Sequence, residues 1–190
     1  MPICDRCGYP RDPHETCRNC HIPAHAPLAG VRSVAFFEGP LRSALHRLKY
    51  QRDISLADTL AEWLCAAWQT LRLPGDTVTP VPLSAQRLRE RGYNQAGLLA
   101  HAFAELAGLR YAPAALMKIR HTQSQVELTA AERRANVAQA FEADVRHCAG
   151  RSFILVDDVC TTGATLLSAA DALRAAGATQ VWGFTLGRAR

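Results

Sequence analysis

Lysine is nearly missing from this 190-residue chain. Of 22 basic side chains, only Lys49 and Lys118 are lysines, and the other 20 are arginines. Arginine presents a rigid fork suited to bidentate contact with phosphate oxygens, so the bias points toward phosphate chemistry, although a GC-rich genome produces the same bias. Aromatic residues are also sparse, at 7%, which weakens any reading built on stacking of successive bases. No apolar run approaches the roughly 20 residues of a membrane-spanning helix, so membrane insertion is not expected. The opening MPICDRCGYP lacks the basic start and apolar centre of an export signal. A cytoplasmic globular protein is the expectation.

Cysteine, by contrast, is plentiful and unevenly placed. Four of the seven cysteines fall in the first 20 residues, as Cys4-x-x-Cys7 and Cys17-x-x-Cys20. Without an export signal a disulfide framework is disfavoured. Two CxxC turns facing each other supply a tetrahedral four-sulfur site, for which zinc is the expected ion, and a segment this short needs the metal to fold. Cys17 to His21 also fits covalent haem attachment (CxxCH), but that leaves Cys4 and Cys7 without a role. A thioredoxin-like dithiol would need an adjacent βαβ unit, which is absent here. Replacement of one thiolate by His14, His21 or His25 is the remaining variant. Cys65 reads as a core residue, and Cys160 as a small space-filler beside two acids.

The proline-containing stretch His21 to Gly30 reads as a linker, dividing the chain into a knuckle over residues 1–27 and an α/β domain over 28–190. Strand patterns cover 31–37, 113–119, 137–141, 152–157 and 180–186. Helical patterns cover 40–50, 56–71, 94–107 and 165–176, with a polar loop at 121–128 and a charged helical turn at 129–137. Thr77 to Leu83 starts as a strand, but its two prolines disqualify it as an interior strand beyond Val78. Strands alternating with helices predict a parallel sheet flanked by helices, with ligands bound beyond the strands' carboxyl ends.

The most informative string is FILVDDVCTTGAT, residues 153–165. Asp157 and Asp158 at a strand end can accept hydrogen bonds from a vicinal diol and help position magnesium. Thr161, Thr162, Gly163, Ala164 and Thr165 lead directly into a helix, whose free amides form an anion site. Diol beside phosphate is the geometry of a ribose 5-phosphate. The ILVDD portion also has the form of a Walker B strand, but no GxxxxGK[ST] string accompanies it.

VDDVCTTGAT resembles the signature of the type I phosphoribosyltransferases, which bind phosphoribosyl pyrophosphate with magnesium. LHRLKY (45–50), TPVPLSAQRLRERGYNQ (79–95) and residues 120–141 are similar to the ComF family within that group, and the likeness spans nearly the whole chain. Ser84, Tyr93 and Cys160 depart from the family pattern, where histidine, phenylalanine and valine are common. The resemblance implies a zinc knuckle followed by a parallel-sheet phosphoribosyltransferase fold. It also implies a site in which Asp157 and Asp158 are the catalytic carboxylates and the 161–165 loop holds the phosphate. Arg87, Arg91 and Gly92 would cup the pyrophosphate, with Asn94 and Gln95 either completing it or starting the next helix. Arg120, Gln123 and Arg133 would belong to a flap, and Lys49 with Tyr50 to the acceptor side.

Two functions are therefore expected to compete. One is transfer of ribose 5-phosphate to an acceptor that the sequence does not specify. The other is a non-catalytic role in DNA uptake, in which single-stranded DNA is bound and the sugar-phosphate pocket acts as sensor or strand contact. A scaffold for a DNA-uptake ATPase is a third, weaker expectation.

Overall fold

The computed structural model describes residues 2–12, 15–17, 20–119 and 140–190. The loop and helical turn expected at 121–137 lie outside these residues, as do His14, Arg120, Gln123 and Arg133.

The central element is a five-stranded parallel sheet in which β1 (Gly30–Phe36), β7 (Gln180–Arg188), β6 (Ser152–Cys160), β2 (Thr77–Pro80) and β3 (Arg110–Tyr111) stand side by side in that order. β6 lies at its centre and is apolar on both faces, as a strand covered twice must be. Phe153 and Leu155 enter one core and Ile154 and Val156 the other. Around the sheet run α1 (Gly39–Tyr50), α2 (Leu56–Leu71), α3 (Ala85–Arg91), α4 (Gln95–Ala107), the short α5 (Val145–Cys148) and α6 (Ala164–Ala175).

Leucines at helical spacing decide which helices cover the first face. Leu41, Leu45 and Leu48 of α1, Leu60 and Leu64 of α2, and Leu99 and Phe103 of α4 meet Val78, Ile154, Val156 and Phe184 of the sheet. Cys65 belongs to this core, as expected. On the other face lie α6 and a separate antiparallel ribbon, β4 (Leu116–Lys118) with β5 (Phe141–Ala143). The cysteine segment packs on this face too: Cys4, Cys7, Ile22 and Leu28 share a core with Val31, Phe153, Cys160 and Leu166.

That segment is tied to β1 by main-chain and arginine contacts. Val31 donates its amide to the Arg6 carbonyl (2.7 Å), Arg32 reaches the Asp5 carbonyl (2.9 Å), and Arg6 reaches the Ile22 carbonyl (2.8 Å). Gly8 has φ +69° and a Cβ there would lie 2.6 Å from the Val31 carbonyl oxygen, so the turn after Cys7 accepts no side chain.

Three elements differ from the sequence expectation. The strand expected over 113–119 is instead a 3₁₀ turn (Pro113–Ala115) followed by β4, since Pro113 suits the first position of a helical turn. β2 continues through Pro80, fully buried. Its backbone groups alternate sides: Val81 donates to Val156 of β6, while the Val78 carbonyl accepts from Ala112 on the β3 side. Pro80 therefore turns its missing donor toward β3, which has already ended at Tyr111. β6, finally, runs three residues beyond Asp157, paired with β7 as far as Cys160 and Arg188.

Candidate functional site

β2 and β6 end on the same edge of the sheet, and the chain leaving each of them lines one open cavity of about 560 Å³. Asp157, Asp158 and Thr165 come from β6 and the start of α6, Val81 to Leu83 from the end of β2, Arg87, Glu90 and Arg91 from α3, and Gln95 from α4. Lys49 and Tyr50 enter from the end of α1, Arg52 from just beyond it, and Lys118 from the ribbon. Five cations thus face three carboxylates, which suits a polyanionic ligand.

Because β6 continues past the two acids, strand periodicity steps their side chains to different sides. Asp158 follows Ile154 and Val156 toward the helices. It is buried, ion-paired through Oδ2 with Lys49 Nζ of α1, and receives the Gln95 side-chain amide of α4 on Oδ1 at 3.4 Å. Asp157 is less enclosed, and its Oδ1 accepts the Asp158 amide at 2.8 Å. The carboxylates remain close enough for each to feel the other's charge. Burial and the neighbouring Asp158 push the Asp157 carboxyl well above the usual carboxylate range, against the relief that Lys49 offers. Lys118 is shifted the other way. Burial and nearby Arg87 lower its amine below the ordinary lysine value, while Asp157 partly restores it.

Local sequence explains how the other groups are presented. Ser84 caps α3, accepting the Arg87 amide at 3.3 Å, so the RLRER run forms a short helix in a stretch to which the sequence patterns assigned no element. Arg87 and Arg91, one turn apart, both face the cavity. Gly92 closes α3, its amide returning to the Leu88 carbonyl, and does not line the cavity. Asn94 caps α4 through the Ala96 amide (3.1 Å) and holds the end of β2 through the Val81 carbonyl (3.0 Å). Arg91 stacks over the exposed Tyr50 ring, 5.5 Å from its centroid, and donates to the Gln95 side-chain oxygen. The Tyr93 hydroxyl donates to the Leu48 carbonyl, which fixes the last turn of α1 against the α3–α4 junction.

The 161–165 loop opens α6. Gly163 has φ +84° and occupies the position before the helix, a conformation that glycine adopts without strain. Thr162 Oγ1 accepts the Ala164 amide at 3.3 Å. The Thr165 and Leu166 amides lie in the first turn, where an α-helix offers no carbonyl partner. Thr161, Thr162 and Ala164 are exposed beside the cavity, and Thr165 lines it. Behind the loop, Arg188 donates to the buried Cys160 sulfur at 2.7 Å.

Among the expected site residues, the structure therefore brings together Lys49, Tyr50, Arg87, Arg91, Asp157, Asp158 and Thr165. Lys118 was not anticipated. One signal for it existed, since the two lysines of an arginine-dominated chain meet in the same cavity.

At the opposite face, the Sγ atoms of Cys4, Cys7 and Cys17 lie within 4.8 Å of one another, and Cys7 and Cys17 are 3.6 Å apart. Metal–sulfur bonds of about 2.3 Å in a tetrahedron place sulfurs about 3.8 Å apart, so the cluster is compatible with a zinc module. Cys20 lies beside it, its thiol 3.6 Å from the Ile22 carbonyl. Burial pushes the Cys4 thiol up, but the Cys7 and Arg6 amides and the Cys7 and Cys20 thiols outweigh it and bring the group down to about 7. Thiols from both CxxC pairs meet at one point, an arrangement that suits one shared metal and not a separate dithiol. His21 and His25 are exposed and stand outside the cluster.

A parallel sheet carrying an acidic doublet and a helix-opening threonine loop defines a phosphoribosyltransferase-type protein. The family model described as "Phosphoribosyl transferase domain" matches residues 91–186, from the last turn of α3 almost to the end of β7. The chain is 34% identical over 191 residues to the "DNA utilization protein YhgH" of Salmonella typhimurium, covering 96% of this chain and 83% of that one. It is 32% identical to "Competence protein F" of Haemophilus influenzae, with 96% and 84% covered, and 31% identical to "Competence protein ComFC" of Bacillus subtilis, with 97% and 77% covered. The chain belongs to the ComF family of phosphoribosyltransferase-fold proteins.

Proposed function

We propose that the cavity binds phosphoribosyl pyrophosphate with magnesium and that the protein transfers ribose 5-phosphate to an acceptor in a cytoplasmic pathway of DNA uptake or utilization. The observation that carries this reading is the meeting, in one cavity, of the β6 carboxylates and the start of α6 with the arginines of α3. The 5-phosphate sits on the Thr161–Thr165 loop, and the ribose hydroxyls face Asp157 and Asp158. The pyrophosphate lies toward Arg87 and Arg91, with the Gly92 turn behind them. In the reaction the C1–oxygen bond to pyrophosphate breaks as an acceptor lone pair bonds to C1. The cations oppose the charge that builds on the leaving group. Magnesium supplies charge neutralisation at the pyrophosphate. Residues 1–27 form a structural zinc knuckle with Cys4, Cys7, Cys17 and Cys20 as ligands, and residues 28–190 form the transferase-like domain. Lys49 and Tyr50 stand where an acceptor would approach.

Calorimetric titration with phosphoribosyl pyrophosphate and magnesium tests the reading. Saturable binding is expected, weakened at least about a hundredfold by combined Asp157→Ala and Asp158→Ala. Pyrophosphate release with one member of a panel of bases would establish the transfer. Absence of binding would overturn the donor-site reading.

A second reading has its own support. The outer face of α1 carries Arg42, His46 and Arg47 around an open depression, and the Salmonella relative is named a DNA utilization protein. In that reading the protein is a non-catalytic accessory that contacts single-stranded DNA, alone or beside a DNA-uptake ATPase. Phosphate contacts of this kind predict affinity that falls steeply with salt. Binding that does not respond to salt would eliminate it.

A further inference from the structure

The acidic doublet carries its own counter-ion. Lys49 stands in the last turn of α1, where an exposed lysine would ordinarily point to solvent, yet its ammonium reaches inward to Asp158. Its side chain keeps 21% of its exposure, and that of Asp158 keeps 6%. The turn bearing Lys49 is held from two directions: Leu45 and Leu48 are fully buried beneath it, and the Tyr93 hydroxyl holds the Leu48 carbonyl. With Gln95 on the other oxygen, both Asp158 oxygens are engaged.

We propose that Lys49 is a positioning residue, a tethered cation that fixes Asp158 against α1 and α4 and keeps free divalent metal off the doublet, so that metal enters only with the phosphates of the ligand. This rests on the reading of the cavity as a phosphoribosyl pyrophosphate site. A bare magnesium ion approaching the two carboxylates meets an ammonium already in place, and the repulsion at a few ångströms in a partly desolvated site offsets much of the attraction. A metal already bound to pyrophosphate arrives with surplus negative charge, which Lys49, Lys118, Arg87 and Arg91 attract together. The residue type fits the task. A guanidinium seeks a bidentate acceptor, whereas an ammonium is a compact point charge that serves one oxygen.

The test is titration of magnesium chloride alone into the whole protein and its Lys49→Met and Lys49→Arg variants, followed by heat release and melting temperature. Wild type and Lys49→Arg should show no saturable binding in the low-millimolar range. Lys49→Met should bind magnesium at least about tenfold more tightly and gain thermal stability from it. A loss of packing alone would not create metal affinity. Saturable magnesium binding by wild type that disappears in Asp158→Asn would overturn the proposal without recourse to any Lys49 variant. So would a folded Lys49→Met that gains no affinity. Titration of wild type with phosphoribosyl pyrophosphate plus magnesium is run beside these. Failure of that ligand to bind removes the donor-site reading, whereas the magnesium isotherms separately decide the role of Lys49.

Discussion

The cysteine segment and the strand-end cavity flank the same sheet, yet different forces shape them. Around the cavity, Lys49, Asp157 and Asp158 stand on elements anchored by leucines or by the sheet ladder, so the acidic side of the site is a by-product of the core. Arg87 and Arg91 stand on α3, which buries no side chain of its own. Among the described residues of 2–28 there is a single isolated bridge, Ile3 with Pro10, and a few turn hydrogen bonds. Their shape depends on sulfur atoms converging and on Ile22 and Leu28 resting against α6 and β1. The comparison teaches that one region inherits its geometry from packing while the other, in the proposed zinc knuckle, relies on coordination, and the two should respond differently to the same insult.

Phe153→Ala should have the largest effect. Phe153 is fully buried in β6, and truncation of such a ring costs about 3–5 kcal/mol, so urea melts should shift strongly and both regions should be lost together. Next in size is removal of the proposed zinc, by chelation or by Cys7→Ser. Metal analysis should fall to zero, and amides of residues 2–28 should exchange rapidly, while the protection of β6 and β7 survives. Loss of the sheet in the same step would abolish the distinction between the regions.

A smaller effect concerns the start of the sheet. Burial raises the Asp76 carboxyl, but hydrogen bonds from Thr77 and from the Ser152 amide and hydroxyl outweigh it and hold the group below the usual carboxylate range. A lowered folded value means stability that is present above the unfolded aspartate range and lost as pH falls through the folded one. Acid melts of Asp76→Asn should therefore show a shallower decline below about pH 4 than wild type. Smallest of all, Ser84→Ala should cost about 1 kcal/mol at the α3 cap, visible as local exchange near Arg87 without a change in metal content.

Much of this arrangement was legible in the residues, for identifiable reasons. Leucine spacing located α1, α2 and α4, and the apolar run before the doublet located the central strand, though not its end. The division of work between the two acids was not legible, because it depends on β6 continuing to Cys160, and that depends on pairing with β7. Pro80 misled because a proline rules out a strand interior only when both neighbours are present. The RLRER run hid a helix because its cap is a serine whose partner is known only in three dimensions. Lys118 escaped notice because the ribbon that delivers it is built from strands of three residues each.

The pairing of Lys49 and Lys118 has a practical consequence. Apart from the terminal amine, these are the primary amines of the whole chain, and both open into a single chamber. Lys49 is engaged with Asp158, whereas Lys118 has a depressed basicity and hence more of its neutral, nucleophilic form. An acylating reagent read by peptide mass should thus work as a footprint of chamber occupancy, with Lys118 modified first and shielded by whatever molecule fills the space.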